Sequence, residues 1–266
     1  MKPRKQAPLL APVALLVVLL LGGQQQQQQV LLVEATSPVL LREEVRAMFG
    51  FGYDSYMLHA YPADELNPLE CTGRGPDKAH PENININDVL GDFSMTLIDT
   101  LDTHVVMGNV SEFHSAARRV MLRKSFDIDS LVSVFEVTIR VLGGLLSGHL
   151  ATTLGPFREF WIPGYQNELL NLAYDLGKRI LPAFENTRTG LPFPRVNLRY
   201  GITNGIINQT CTAGAGTLLL EFATLSRLTG DTRFERVAKR ALHALWSYRS
   251  QLDLLGNVID IQVSLV

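Results

Sequence analysis

The segment 132–146, Val-Ser-Val-Phe-Glu-Val-Thr-Ile-Arg-Val-Leu-Gly-Gly-Leu-Leu, constrains the fold of this chain more than any other. At about 100° per residue it places Val132, Phe135, Ile139, Leu142 and Leu146 on one apolar arc and Val134, Val137 and Val141 on a second. Glu136, Arg140, Gly143 and Ser147 form a narrow stripe between the arcs. A helix buried on two sides that carries an acid and a base one turn apart points that stripe at something polar, which reads as a ligand cavity.

The remainder reads as helices joined by loops rich in Gly, Pro and Asn, with helices expected at 42–59, 93–107, 112–123, about 130–152, 167–184, 213–228 and 233–249. Ser111 is the expected cap of the third. Long loops are expected at 64–87 and 190–211, and the only clear strand signal lies at 258–263. This pattern indicates an all-α array of helical hairpins. A loose likeness between Phe135-Glu136 with Arg140 and Glu221-Phe222 with Arg227 suggests that the two helices face one interior.

The leader, residues 1–41, is set apart from the fold. Lys2, Arg4 and Lys5 precede an apolar run over 9–21, the pattern of a secretory signal. Its uninterrupted part, 13–21, is short of the roughly 20 residues of a membrane span. A cleaved signal is the favoured reading, with an uncleaved anchor as competitor, and a glutamine tract follows at 24–29. Asn109-Val110-Ser111 and Asn208-Gln209-Thr210 are glycan acceptor sequons, in keeping with a secretory route. Cys71 and Cys211, the two cysteines, have three open fates in an oxidising lumen: pairing with each other, a mixed disulfide with an oxidoreductase, or two free thiols. Lys+Arg 24 against Asp+Glu 26 gives no sign of a nucleic-acid partner, and no nucleotide-binding or zinc motif is present.

Three helices present acids on apolar or small-residue surfaces. Asp99 and Asp102, three apart, share a face opposite Ile98, Leu101 and Val105. Glu136 lies between its two apolar arcs, and Glu221 belongs to a stripe with Gly214, Thr217 and Thr224. Converging carboxylates suit glycoside hydrolysis, in which one acid protonates the leaving oxygen and a second carboxylate activates water or attacks the sugar. A surrounding core keeps such an acid protonated near neutrality, and Glu136 fits the proton donor. Structural alternatives stand beside each: a Glu136–Arg140 ion pair, Asp99 and Asp102 as caps or pairing groups, and Glu221 answering Arg227 or Arg195. His59, His104, His149 and His243 read as structural or surface residues, and 235–240 as a solvated helix face.

These segments, together with Phe51-Gly52-Tyr53-Asp54-Ser55-Tyr56, Asp64-Glu65-Leu66-Asn67-Pro68, Leu181-Pro182-Ala183-Phe184 and Cys211-Thr212-Ala213-Gly214, resemble glycoside hydrolase family 47, the class I α-1,2-mannosidases. The likeness runs over about 42–262, and the loop 72–77 with 85–91 resembles the endoplasmic-reticulum degradation-enhancing subgroup. The resemblance implies an (αα)7 barrel with calcium at its base and hydrolysis with inversion. It makes Glu136 the general acid, Arg140 a glycan contact, and Asp102, Glu221 and Asp99 groups of the pocket floor. It implies high-mannose N-glycans of misfolded glycoproteins as partners and the endoplasmic-reticulum lumen as location. The family's other two acids and its calcium-binding threonine fall in the second half of the barrel. Residues 42–266 are therefore expected to form an incomplete (αα)7 barrel, about seven of fourteen helices, inactive alone, with apolar faces exposed. A lectin-like or chaperone-like factor that binds such glycoproteins without turnover is the alternative.

Overall fold

A computed structural model describes residues 37–262, so the expected leader and glutamine tract lie outside the described residues. The chain divides into two compact units, one ending at Tyr53 and one beginning at Asp54. Helix α1, Pro38–His59, begins in the first unit. It starts earlier than the expected 42 because the Ser37 hydroxyl accepts the Val39 N–H at 3.2 Å and Pro38 occupies the first turn, where its missing N–H costs nothing.

The second unit is helical with three small antiparallel ribbons. Strands β1 (Glu65–Asn67) and β2 (Thr72–Arg74) lie inside the expected 64–87 loop, followed by the short helix α2 (Ile84–Asn87). The helix expected at 93–107 is two helices, α3 (Met95–Asp99) and α4 (Leu101–Met107), that meet at Thr100. Helix α5 spans Val110–Met121, and its cap is Asn109 rather than Ser111: the Asn109 side chain accepts the Glu112 N–H at 3.2 Å. The helix expected from 130 begins only at 134, because residues 131–133 are strand β3 (Leu131–Ser133), paired with β4 (Arg195–Asn197) through Val132 opposite Val196. It continues as α6 (Val134–Glu136), a π-helical segment (Val137–Leu142) and α7 (Gly143–Thr153).

Helix α8 (Glu168–Ile180) runs into a 3₁₀ turn, Leu181–Phe184, where Pro182 supplies no N–H for further α-helix. Strand β5 (Gln209–Cys211) precedes α9 (Thr212–Gly216), α10 (Leu219–Thr229) and α11 (Arg233–Ser247), and β6 (Val258–Asp260) returns to pair with β5. The core is aromatic where α8, α10 and α11 converge: Phe222 lies 5.3 Å from Phe184 and 6.0 Å from Phe234 between ring centroids. Val134–Thr153 is long and apolar enough to cross a membrane, but most of it is buried within the protein, as in a core helix.

One carboxylate organises the entry to α3. Asp64 is fully buried, and its two oxygens accept the backbone N–H groups of Gly91, Asp92, Phe93 and Met95 at 2.7–3.0 Å. Positive φ at Asp92 and Ser94 turns those amides onto one point. Burial pushes the Asp64 carboxyl upward while the four donors pull it down. The clamp sets where α3, and hence Asp99, begins.

Candidate active site

Ser133 starts the site helix. Its hydroxyl accepts the Glu136 N–H at 3.3 Å, and its backbone is pinned by the β3–β4 ribbon, with Ser133 opposite Arg195. Ser-x-x-Glu at 133–136 has the form of a capping box, in which the glutamate would reach back to the cap. Glu136 turns forward instead: its Oε2 accepts from Arg140 Nε at 2.8 Å. Arg140 Nη1 also donates to Asp99 Oδ2 at 3.3 Å, so one guanidinium ties α3 to the π-helical segment.

The half-exposed positions of this helix are Glu136, Arg140, Gly143, Ser147 and Leu150, with Phe135 and Ile139 beside them. Val132, Val134, Val137, Val141, Leu142, Leu145 and Leu146 are buried. The polar stripe read from spacing is therefore the open side, although Phe135 and Ile139 flank it rather than join the core. The π-helical turn inserts an extra residue per turn between Glu136 and Gly143, and within it Thr138 Oγ1 is buried with no hydrogen-bond partner among the described residues. Such turns cluster at functional sites.

Asp99 is raised above the usual carboxylate range, first by burial, with Arg140 opposing and the charges of Asp102 and Glu136 adding to the rise. Burial works against the Arg140 charge, but its hydrogen bond to Glu136 and the two carboxylates outweigh that and hold it more firmly protonated. Glu221, on α10, lies beside Gly143: a Cβ there would meet Glu221 Cγ at 3.8 Å. Neither arginine considered for Glu221 reaches it. Arg227 pairs with Glu235 at 3.6 Å, and Arg195 with Asp88 at 2.5 Å. Glu221 Oε2 is buried without a hydrogen-bond partner among the described residues, and burial raises its carboxyl. Asp102 is exposed in the first turn of α4, and its charge still reaches Asp99. The structure thus joins Glu136, Arg140 and Asp99 directly, sets Glu221 against the same stripe, and leaves Asp102 at the rim.

Calcium takes roughly six to eight oxygen ligands. Among the described residues no group of three or more His, Cys, Asp or Glu could hold a metal ion. The unpartnered Glu221 Oε2 is one donor, and it does not make a calcium site by itself.

The remaining sequence candidates stand outside this cluster. Cys71 and Cys211 are both free and exposed, so of the three fates left open the structure does not form the bond between them. Cys211 instead caps α9, its Sγ accepting the Gly214 N–H at 3.2 Å, and Cys71 sits with φ 52° just before β2. Asn109 and Asn208 are exposed, the first as the α5 cap. His104 and His149 are buried, and His149 Nδ1 lies 2.9 Å from the Tyr165 hydroxyl. Residues missed from sequence are Asp64 and Ser133. A serine three places before Glu136 was the available signal for the second, whereas the partners of Asp64 lie about thirty residues away.

The family model described as Glycosyl hydrolase family 47 matches residues 48–265. "ER degradation-enhancing alpha-mannosidase-like protein 1" of Schizosaccharomyces pombe is 46% identical over 229 residues, covering 86% of this chain and 29% of that protein. "Alpha-mannosidase I MNS4" of Arabidopsis thaliana is 48% identical over 221 residues, covering 83% of this chain and 33% of that protein. Among solved structures, an alpha-1,2-mannosidase from Trichoderma reesei superposes with a TM-score of 0.68 at 25% identity, over 83% of this chain and 44% of that one. The chain spans about a third or less of the length of these two curated relatives.

Proposed function

The chain belongs to glycosyl hydrolase family 47, and from that premise we propose that it supplies the proton-donor side of an inverting α-1,2-mannosidase. Its substrate in this proposal is the high-mannose N-glycan of misfolded glycoproteins in the endoplasmic reticulum. The names of the relatives support the substrate and the location. Residues 42–266 are proposed as about seven of the fourteen helices of an (αα)7 barrel, and the activity as a property of the longer protein. The 44% coverage of the fungal mannosidase supports that division.

The observation that carries the reading is the Glu136–Arg140–Asp99 bridge on the open stripe of an otherwise buried helix. Glu136 Oε2 is held by Arg140, and Oε1 takes no hydrogen bond from the described residues, so Oε1 is the atom to present a proton to the leaving oxygen. Once the proton has left, the same guanidinium neutralises the carboxylate it leaves behind. Asp99 and Glu221, both raised by burial, offer carboxyl oxygens that accept from sugar hydroxyls. Asp102 lies at the rim of this floor. Inversion needs a second carboxylate roughly 6.5–9.5 Å from the acid with water between them. That group and the calcium are assigned to the complete barrel.

The ion pair itself favours a second reading. A glutamate already matched by an arginine suits a site that holds a glycan without protonating it, as a lectin-like or chaperone-like factor would. Mannose release from a high-mannose glycan by the full-length protein and its Glu136→Gln variant, with glycan binding measured alongside, separates the two. Loss of release with binding retained supports the enzyme. No release by either protein, with equal binding, supports the binding factor.

A further inference from the structure

A second pocket, of about 430 Å³, opens where the end of α5 meets the entry to α3, and its lining includes none of Glu136, Arg140, Asp99 or Glu221. Its floor is apolar and buried, with Phe93, Leu97 and Ile98 at 2% exposure or less. Its rim carries three cations, Arg119, Arg123 and Lys124. None of the three forms a salt bridge with a carboxylate of the described residues. Arg119 lies over the Tyr61 ring at 5.3 Å and Arg123 over the Phe126 ring at 5.2 Å; Arg123 Nη2 also donates to the Asp92 carbonyl oxygen at 3.4 Å, and the guanidinium N–H groups of Arg119 and the rest of those of Arg123 make no hydrogen bond among the described residues.

The carboxylates nearest Arg123 are already engaged. Asp92 is bonded to Lys78 at 2.6 Å, and both oxygens of Asp64 are filled by four backbone N–H groups. Arg123 is depressed, chiefly by burial, with the fields of Asp64, Tyr61 and Asp92 only partly offsetting it. A helix C-terminus accounts for about half a unit of positive charge, and three cations exceed that.

We propose that this pocket binds a phosphate monoester: the oxyanion on the cationic rim and the organic body on the apolar floor. Two guanidiniums match tetrahedral oxyanions through paired N–H donors, and a monoester carries about −1.5 to −2 charge near pH 7, which answers three cations partly screened by Asp64 and Asp92. The volume lies within the usual range for small-ligand sites.

The test is calorimetric titration of the 266-residue chain with inorganic phosphate and with butyl phosphate at fixed ionic strength. Saturable one-to-one binding is expected, tighter for butyl phosphate. Arg119→Gln and Lys124→Gln, both at exposed positions, should each weaken it about tenfold. Arg118→Gln removes an exposed charge from the neighbouring position outside the lining and should leave it unchanged. Equal affinity for the two phosphates, an equal loss with Arg118→Gln, or no saturation would overturn the proposal.

Discussion

Gly143 and Gly144 are adjacent in sequence and opposite in what they tolerate. Gly144 is buried against the backbone of α3: a Cβ there would lie 3.0 Å from the Ile98 carbonyl carbon, 3.2 Å from its Cγ2, and closer still to its oxygen. The shortest ordinary C···O contact is about 3.3 Å, so the carbonyl would have to withdraw by roughly 1 Å. The atom in the way is backbone in a helix clamped at its start by Asp64, and overpacking of that kind costs about 1–3 kcal/mol. At Gly143 a Cβ would meet Thr138 O at 3.6 Å and Glu221 Cγ at 3.8 Å, both ordinary contacts, in a right-handed helical conformation. Both substitutions to alanine gain about 1 kcal/mol of helix propensity, so their difference isolates the steric cost. Gly143→Ala is expected to stabilise by up to about 1 kcal/mol, and Gly144→Ala to fall about 1–3 kcal/mol below it. Thermal denaturation followed by circular dichroism should show a gap of several degrees, at ~2–4 °C per kcal/mol for a protein of this size. A Gly144→Ala protein that melts at or above Gly143→Ala would refute the close approach of α3 to α7.

Three further outcomes follow from the charges. Arg140→Met should destabilise by about 0.5–2 kcal/mol near neutrality, a range discounted for side chains that are 38% and 35% exposed at the Arg140–Asp99 contact. Asp99 then loses the influence that lowers it and rises further, and the penalty should shrink as the pH falls and the Asp99 carboxyl takes up its proton; urea titrations over a falling pH series from pH 7 check this. Burial lowers His104 to about 4, and the unfolded chain binds its proton near 6.5, so stability is full above pH 6.5 and declines as pH falls towards 4. That loss is about 3 kcal/mol, and His104→Phe should flatten the acid limb of the stability profile. Asp64→Asn turns an amide N–H₂ towards two of four backbone donors and should cost about 3–5 kcal/mol, with proteolysis of the 88–95 loop rising in parallel.

The parts legible in sequence are those set by local spacing. Intervals of four, three and four residues place Glu136, Arg140, Gly143 and Ser147 on one line of any helix, and that line is the open one. The start of the same helix was misplaced because Leu131 and Val132 continue the apolar pattern, while the strand they form is dictated by β4 some sixty residues on. Ser111 has the residue type of a cap, but Asn109-x-x-Glu112 has the capping-box spacing, and Asn109 is the cap. Thr100 divides two helices where its hydroxyl bonds back to the Thr96 carbonyl oxygen at 2.8 Å, a side-chain contact that the apolar spacing does not display. Arg227 and Arg195, the arginines that spacing offers to Glu221, answer Glu235 and Asp88 instead. The role of Asp64 depends on a loop that folds back over it, which spacing cannot disclose.

In the proposed reaction Glu136 Oε1 delivers a proton to the leaving sugar oxygen. This transfer is tested most directly by kcat for α-1,2-mannose release by the full-length protein carrying Glu136→Gln, with the melting temperature as control. The amide keeps an oxygen for Arg140 and removes only the transferable proton. A fall in kcat of about 10²–10⁴-fold at an unchanged melting temperature is expected. Release within a few-fold of the unsubstituted protein would contradict the assignment and leave the Glu136–Arg140 pair as a binding element.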